Sequence, residues 1–246
     1  MEEQLSLFNI GKQPLQITKP IRLIEAFSGI GAQARALELM GVPFEHYRAV
    51  EFDKYAMASY NAIHGTNFVT SDITQIHASD LAVTETDKYT YILTYSFPCQ
   101  DISNAGKMRG FAKGSGTRSG LLWEVERLLT EMTELPQILV MENVPGVCGK
   151  KNMEHFQMWL DFLDGLGYAN YYKIINTKDY GIPQNRQRCF CISCNSDYEF
   201  KFAEGCELKY RLADYLEDEG VDEKYYLSDQ AVEGLVKALD RPTNPR

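Results

Sequence analysis

The sequence lacks any long apolar run. Segments such as Ile138-Leu139-Val140-Met141 are short and flanked by polar residues, far below the roughly 20 residues that a membrane span requires. The opening stretch, MEEQLSLFNIGKQ, has no apolar h-region, so no secretory signal is expected. Tryptophan is scarce, with two residues, and six cysteines are spread over 246 residues. Without export they read as reduced thiols in a cytoplasm. A chain of this size buries roughly 70–75% of its unfolded surface, so it needs no cross-links to be stable. Excess positive charge is also lacking. The net charge is −9 and the pI about 5.0, which argues against a uniformly basic nucleic-acid binder. With 44% apolar and 24% charged residues, wholesale disorder and collagen-like repeats are excluded.

The charge is segregated. Between Asp101 and Ser119 the four bases Lys107, Arg109, Lys113 and Arg118 face one acid, and Arg186, Arg188 and Lys201 form a second basic group. Acids dominate from Glu204 to Glu223. Such a distribution admits a polyanion on one face only.

Strand and helix patterns alternate. Ile21 to Phe27 reads as a strand entering the turn Ser28-Gly29-Ile30-Gly31, and a helix follows to Gly41. Tyr47–Glu51 is a second strand, residues 53–64 a helix, Phe68–Thr70 a strand or extended lead, and Tyr89–Tyr95 a strand that stops at Phe97-Pro98. A Gly-, Ser- and base-rich stretch of about twenty residues then reads as a functional or mobile loop. Further on, Leu121–Leu135 and Met153–Leu166 are helical, Ile138–Met141 is a buried strand, and Tyr171–Ile175 pairs with Cys189–Ser193. Short helices are expected near Leu212–Leu216 and Asp229–Leu239. This order predicts an α/β fold with a doubly wound, mostly parallel sheet. The division expected is an N-terminal extension (1–20), a cofactor-binding and catalytic domain (21–200) and an acidic helical segment (201–246).

In such a sheet, ligands bind beyond the carboxyl ends of the strands, and the chemically loaded residues gather there. Gly29 and Gly31 let a backbone approach a ligand closely. Glu51, some twenty residues on, suits ribose hydroxyls, and Asp72 suits an adenine amino group; either is equally read as a capping or solvated carboxylate. Together they describe an adenosyl site, since the longer G-x-G-x-x-G of dinucleotide sites is absent. An isolated strand cysteine is usually core, but Cys99 follows a strand end and Pro98 and precedes the basic loop, where cations favour a nucleophilic thiolate. Glu142 follows a buried run, so a desolvated carboxyl suited to proton donation or sharing is expected there, or else a turn cap. Gln184, Arg186 and Arg188 alternate and share a face if extended. One arginine would fix Glu142, and the other would hold a carbonyl oxygen or phosphate.

The segments Phe27-Ser28-Gly29-Ile30-Gly31, Phe97-Pro98-Cys99-Gln100, Glu142-Asn143-Val144 and Gln184-Asn185-Arg186-Gln187-Arg188, in that order, resemble the DNA (cytosine-5) methyltransferase family of bacterial and phage type. Glu51-Phe52-Asp53, Ser71-Asp72-Ile73, Gly120-Leu121-Leu122 and Asp179–Pro183 add to the likeness, which covers about residues 20–195. The resemblance implies a Rossmann-like fold of the S-adenosylmethionine-dependent type and an enzyme of restriction–modification systems. S-adenosylmethionine would lie along Phe27 and Gly29–Gly31, with Ser28, Ile30, Phe52 and Ile73 beside it and Pro98 and Leu122 lining the pocket. Glu51 would take the ribose and Asp72 the adenine. Cys99 would attack C6 of a cytosine flipped from double-stranded DNA. Glu142 would bond N3 and the exocyclic amine, Arg188 would hold O2, and Arg186 would brace the site. Gln100, Ser103, Lys107, Arg109, Arg118 and Asn143 would meet the substrate, with residues 100–118 closing over it.

The family also carries a target-recognition lobe and closing motifs, which these 246 residues do not show beyond Tyr225-Tyr226-Leu227-Ser228. Three expectations follow: a split enzyme whose second subunit supplies that lobe, a catalytic fragment, or a protein that binds without catalysis. Retention of Cys99, Glu142, Arg186 and Arg188 disfavours the last. A rival activity is tRNA cytosine-5 methylation, which shares these motifs. Adenine-N6 or cytosine-N4 chemistry would need an Asp/Asn-Pro-Pro-Tyr/Phe segment, which is absent. A zinc site on Cys189, Cys191 and Cys194, with the last past the strand end, is disfavoured for want of a fourth ligand at zinc spacing. His46, His64, His77 and His155 show no evident partners, so no metal ligand is assigned. Trp123 and Trp159 are expected in the core.

Overall fold

The computed structural model describes residues 13–102, 109–195, 197–217 and 220–239. Its centre is a six-stranded sheet in the order β3-β2-β4-β5-β7-β6, with β2 (Ile21–Ala26), β3 (Phe44–Val50), β4 (Thr90–Tyr95), β5 (Ile138–Asn143), β6 (Tyr168–Asn176) and β7 (Gln187–Asn195). The first four run parallel, while β7 is antiparallel to both β5 and β6. A separate parallel pair joins β1 (Gln13–Pro14) to β8 (Tyr198–Glu199), so the expected N-terminal extension is tied at residues 13–14 to the segment after the catalytic region. Helices α1 (Ala32–Leu39), α2 (Lys54–His64), α3 (Ala78–Leu81), α4 (Leu122–Glu131), α5 (Met153–Gly165) and α6 (Asp229–Leu239) complete the chain.

Local chemistry accounts for these boundaries. Asp53 caps α2 by accepting from the N–H groups of Tyr55 and Ala56, and Gly65 ends it in the left-handed region. Every residue of β4 is buried, as expected of a parallel strand covered on both faces. Helix α4 ends at Glu131, where Met132 turns extended, rather than running on to Leu135. Residues 68–70 form the extended lead, not a strand. Strand β5 runs through Glu142 and Asn143, and β7 starts at Gln187, so four motif residues, Arg188 among them, lie on strands rather than in turns.

Both tryptophans are core. The Trp159 indole donates to the Tyr95 hydroxyl at 3.1 Å, and Trp123 donates to the Phe111 carbonyl at 2.7 Å. Cys194 lies within β7 and is buried, which corrects its expected place past the strand end, because β6 pairs with β7 as far as Asn195. Cys189 and Cys191 share a buried face, and Cys206 is exposed. Among the described residues no helix is long and apolar enough to cross a membrane. The acidic segment holds two 3₁₀ turns, Leu212–Tyr215 and Glu223–Tyr225, and the exposed helix α6.

Strands β2 and β4 diverge in their connections, one leading to β3 on the left and the other to β5 on the right. That reversal opens a crevice above their carboxyl ends. Because Trp159 is fully buried and joins α5 to β4, Trp159→Ala should lower stability by about 3–5 kcal/mol, read as a lower urea midpoint at unchanged slope.

Candidate active site

The crevice starts at the turn after β2. Phe27 (φ 57°) adopts the left-handed region that β-carbon-bearing residues rarely occupy, followed by Gly29 (φ 56°) and Gly31 (φ 83°). This backbone is held from the next strand: Ser28 N–H donates to the Val50 carbonyl, and Gly29 N–H donates to Glu51 Oε2 at 2.8 Å. The other oxygen of Glu51 accepts from Asp53 N–H at 2.8 Å. Glu51 thus ties two strand ends together while lining the cavity above them. Asp72 Oδ1 accepts from the N–H and hydroxyl of Thr74.

A cavity of about 550 Å³ lies over these groups, lined among others by Phe27, Glu51, Phe52, Asp72, Ile73 and Pro98. Two placements differ from expectation. Leu122 is fully buried in the core, and Leu121 lines the cavity instead, because a 3₁₀ turn over Arg118–Leu121 precedes α4. Arg118 also lines this cavity, and its guanidinium donates to Gln100 at 3.0 Å. Ile30 is exposed, and Gly31 packs against α2, where a β-carbon would stand 2.3 Å from His64 Nε2. The Ser28 hydroxyl is buried with no hydrogen-bond partner among the described residues, a cost that a bound polar group would remove. The lining fits an adenosyl ligand, with three carboxylates (Glu51, Asp53 and Asp72), two phenyl rings and apolar walls.

A second cavity, of about 180 Å³, adjoins the first and shares Ser96 and Pro98 with it. It is lined by Cys99, Glu142, Asn143, Arg186 and Arg188, so three separated motifs converge. Register explains why. Glu142 lies opposite Phe190 across the antiparallel β5–β7 pair, and Arg188, two residues before Phe190, projects from the same face. Arg188 Nε stands 2.9 Å from Glu142 Oε1, with both side chains 22% exposed. Glu142 is therefore paired and partly solvated rather than desolvated. Arg188, expected at a carbonyl oxygen of the substrate, fixes the carboxylate here, because its strand position puts it diagonal to Glu142. Arg186, expected as the brace, is exposed and its guanidinium has no partner among the described residues.

Asn143 is 2% exposed. Its amide donates to the Phe97 carbonyl at 3.0 Å, while its oxygen accepts from Val144 N–H. Expected to meet substrate, it lines the smaller cavity and also holds the segment that leads to Pro98 and Cys99. The described part of the basic loop is anchored rather than mobile: Phe111 is fully buried, Lys113 pairs with Glu126 at 2.6 Å, and Arg109 pairs with Asp101 at 2.9 Å. Ser103 and Lys107 lie outside the described residues. Three histidines that show no partner in the sequence have one. His64 Nδ1 is 2.7 Å from Glu38, His46 Nδ1 is 3.1 Å from the Tyr60 hydroxyl, and His77 is 3.3 Å from Glu131. Their partners are 14 to 54 residues away, beyond the reach of local pattern.

The chain is similar to known proteins in sequence and in fold. The family model for C-5 cytosine-specific DNA methylase matches residues 21–243. The type II methyltransferase M2.ScrFI of Lactococcus lactis subsp. cremoris is 34% identical over 86% of this chain and 71% of its own length. The orphan methyltransferase M.SssI of Spiroplasma monobiae is 35% identical over 74% and 61%, respectively. The crystal structure of S. pombe Dnmt2 methyltransferase superimposes with a TM-score of 0.69 at 23% identity, over 88% of this chain and 65% of that one, and so shares the fold. The chain belongs to the C-5 cytosine-specific DNA methylase family, enzymes whose methyl donor is S-adenosylmethionine. It spans about 60–70% of the length of these relatives.

Asp101 is the least anticipated of the structural residues. Its carboxylate is 3% exposed and accepts from Arg109 Nε and from the N–H of Arg118. Burial opposes its charge, but these donors and the Ser119 N–H outweigh that and hold the carboxyl below its ordinary 3.8. A lowered acid stabilises the folded form above its unfolded value and ceases to do so as pH falls through the folded one. Asp101→Asn should therefore lower hydrogen-exchange protection at Gly110, Arg118 and Ser119 by about tenfold at pH 7. In the parent protein the same protection should fade only below pH 3.8.

Proposed function

We propose that this chain transfers a methyl group to C5 of cytosine in double-stranded DNA. The observation that carries the reading is the meeting of the two cavities at Ser96 and Pro98. One is furnished for an adenosyl ligand, and the other holds a thiol, a carboxylate and two guanidinium groups. The donor, when bound, supplies an electrophilic methyl group. Phe27, Glu51 and Asp72, which line the larger cavity, would hold it there, with the buried Ser28 hydroxyl in the adjoining turn.

Cytosine C5 is a poor nucleophile until something adds at C6. Cys99 supplies that addition: its thiolate forms a bond to C6, and the ring electrons move toward C5. Glu142, steadied by Arg188, hydrogen-bonds the N3 edge and shares a proton there, which stabilises the electron-rich ring. Transfer of the methyl group to C5 would leave S-adenosylhomocysteine; water then takes the C5 proton while the C6–S bond breaks with its electron pair returning to the Cys99 sulfur, which restores the aromatic ring. The exposed Arg186 is then placed to hold the base carbonyl or a phosphate, the role that the ion pair at Arg188 leaves open. The base must leave the duplex to enter so small a cavity. Because the net charge is −9, we assign most of the phosphate contacts to a further lobe or second subunit.

The test is methyl transfer from labelled S-adenosylmethionine to duplex DNA, with transfer RNA as the comparison substrate. Cys99→Ser should lose turnover by about a thousandfold or more and lose covalent trapping by 5-fluorocytosine DNA, while binding of S-adenosylhomocysteine persists. Normal turnover in that variant would falsify the nucleophile assignment. Glu142→Gln should slow transfer by about a hundredfold with cofactor affinity unchanged. Preferential methylation of transfer RNA would move the substrate assignment to RNA and leave the chemistry intact.

A further inference from the structure

Away from both cavities, α1, β3 and α2 bring Glu38, His46 and His64 together, with one ligand-type atom from each lying within 4.8 Å of the other two. The tautomers of both histidines follow from their outer partners. His64 Nε2 faces the Ile30 carbonyl at 3.1 Å, an acceptor only, so Nε2 carries the hydrogen. The Tyr60 hydroxyl donates to Glu25 at 2.6 Å, so its oxygen accepts from His46 Nδ1–H. His64 Nδ1 and His46 Nε2 are left with lone pairs, and both are directed at Glu38 Oε1, at 2.7 and 3.6 Å.

Three electron-pair donors converging on one point present the lone pairs that a cation between them would accept. A proton would serve the 2.7 Å pair alone and leave His46 Nε2 facing a carboxylate with nothing shared. A metal ion serves all three. Tetrahedral ligands with bonds of about 2.0–2.1 Å lie about 3.3 Å apart, and the two observed separations straddle that value. The outer shell is also of the kind that metal-binding histidines use, each donating its second ring N–H to a carbonyl or hydroxyl oxygen. Glu38 and His46 are partly exposed, at 26% and 19%, which leaves a path for entry. Arg35 pairs with the second oxygen of Glu38 at 2.8 Å and opposes a cation there, but it is 57% exposed and therefore screened.

We propose that Glu38, His46 and His64 form a binding site for one divalent transition-metal ion of the zinc class, two imidazoles and a carboxylate being a donor set that such ions prefer over magnesium or calcium. His64 packs against Gly31 and bonds Ile30, so an occupied site would brace the glycine turn from behind without touching the reacting base.

The experiment is titration of the EDTA-stripped full chain with zinc sulfate by calorimetry, and with cobalt chloride by visible absorption. One equivalent should bind, with the cobalt spectrum showing a four-coordinate nitrogen–oxygen site and no thiolate charge-transfer band. His46→Ala and Glu38→Gln, both at partly exposed positions, should each weaken binding by at least about tenfold, with melting temperatures in EDTA near that of the parent. Nitrogen chemical shifts of the imidazoles should place the ion on Nε2 of His46 and Nδ1 of His64. Absence of saturable binding, equal binding in both variants, or a cysteine-type cobalt spectrum overturns the proposal. If either variant fails to fold, the imidazole shifts of the parent chain with and without zinc decide alone.

Discussion

One buried amide holds the chemical centre together. Asn143, at the end of β5, reaches across to the carbonyl of Phe97 beyond the end of β4, and both groups are shielded from water. A bond between two desolvated polar groups is costly to break, because each would be left without a partner. It therefore fixes the separation between the segment that carries Cys99 and the strand that carries Glu142. The proposed chemistry depends on that spacing, since it asks a thiol and a carboxylate to reach opposite edges of one planar ring.

A second constraint works on the cofactor side. The backbone after β2 passes through three left-handed residues within five positions, one of them Phe27, and such a path persists only when its surroundings hold it. Glu51 provides the hold by accepting from both Gly29 and Asp53. A residue expected to serve a ligand thus also supports the turn that the ligand would use. The two cavities share a wall at Ser96 and Pro98, so the rigidity of one is passed directly to the other.

Much of this was legible in the sequence because it is written locally. The glycine turn, the strand that stops at Phe97-Pro98 and the alternation from Gln184 to Arg188 each depend on neighbouring residues. Their convergence could be anticipated from the rule that ligands sit at strand ends. What was hidden depends on pairs distant in the chain. The diagonal between Glu142 and Arg188 follows from the β5–β7 register, which no single segment specifies. Asp101 reads as a lone acid among bases until Arg109 and the 118–119 backbone close around it. Leu121 and Leu122 exchange roles through a one-turn 3₁₀ entry to α4, a detail finer than hydrophobic periodicity resolves. The histidines looked solitary because Glu38 and Tyr60 belong to other elements.

Strand β7 runs against its neighbours, so the arginines arrive at the active edge as their strand begins, Arg186 just before it and Arg188 on its second residue, whereas Glu142 and Asn143 arrive as a strand ends. Their reach is set by the hairpin between β6 and β7, not by the parallel scaffold. Lengthening or re-shaping that hairpin would move both guanidinium groups, and through the Arg188–Glu142 pair the setting of the carboxylate, while the glycine turn and the Pro98–Cys99 segment, carried by the parallel strands, would keep their supports.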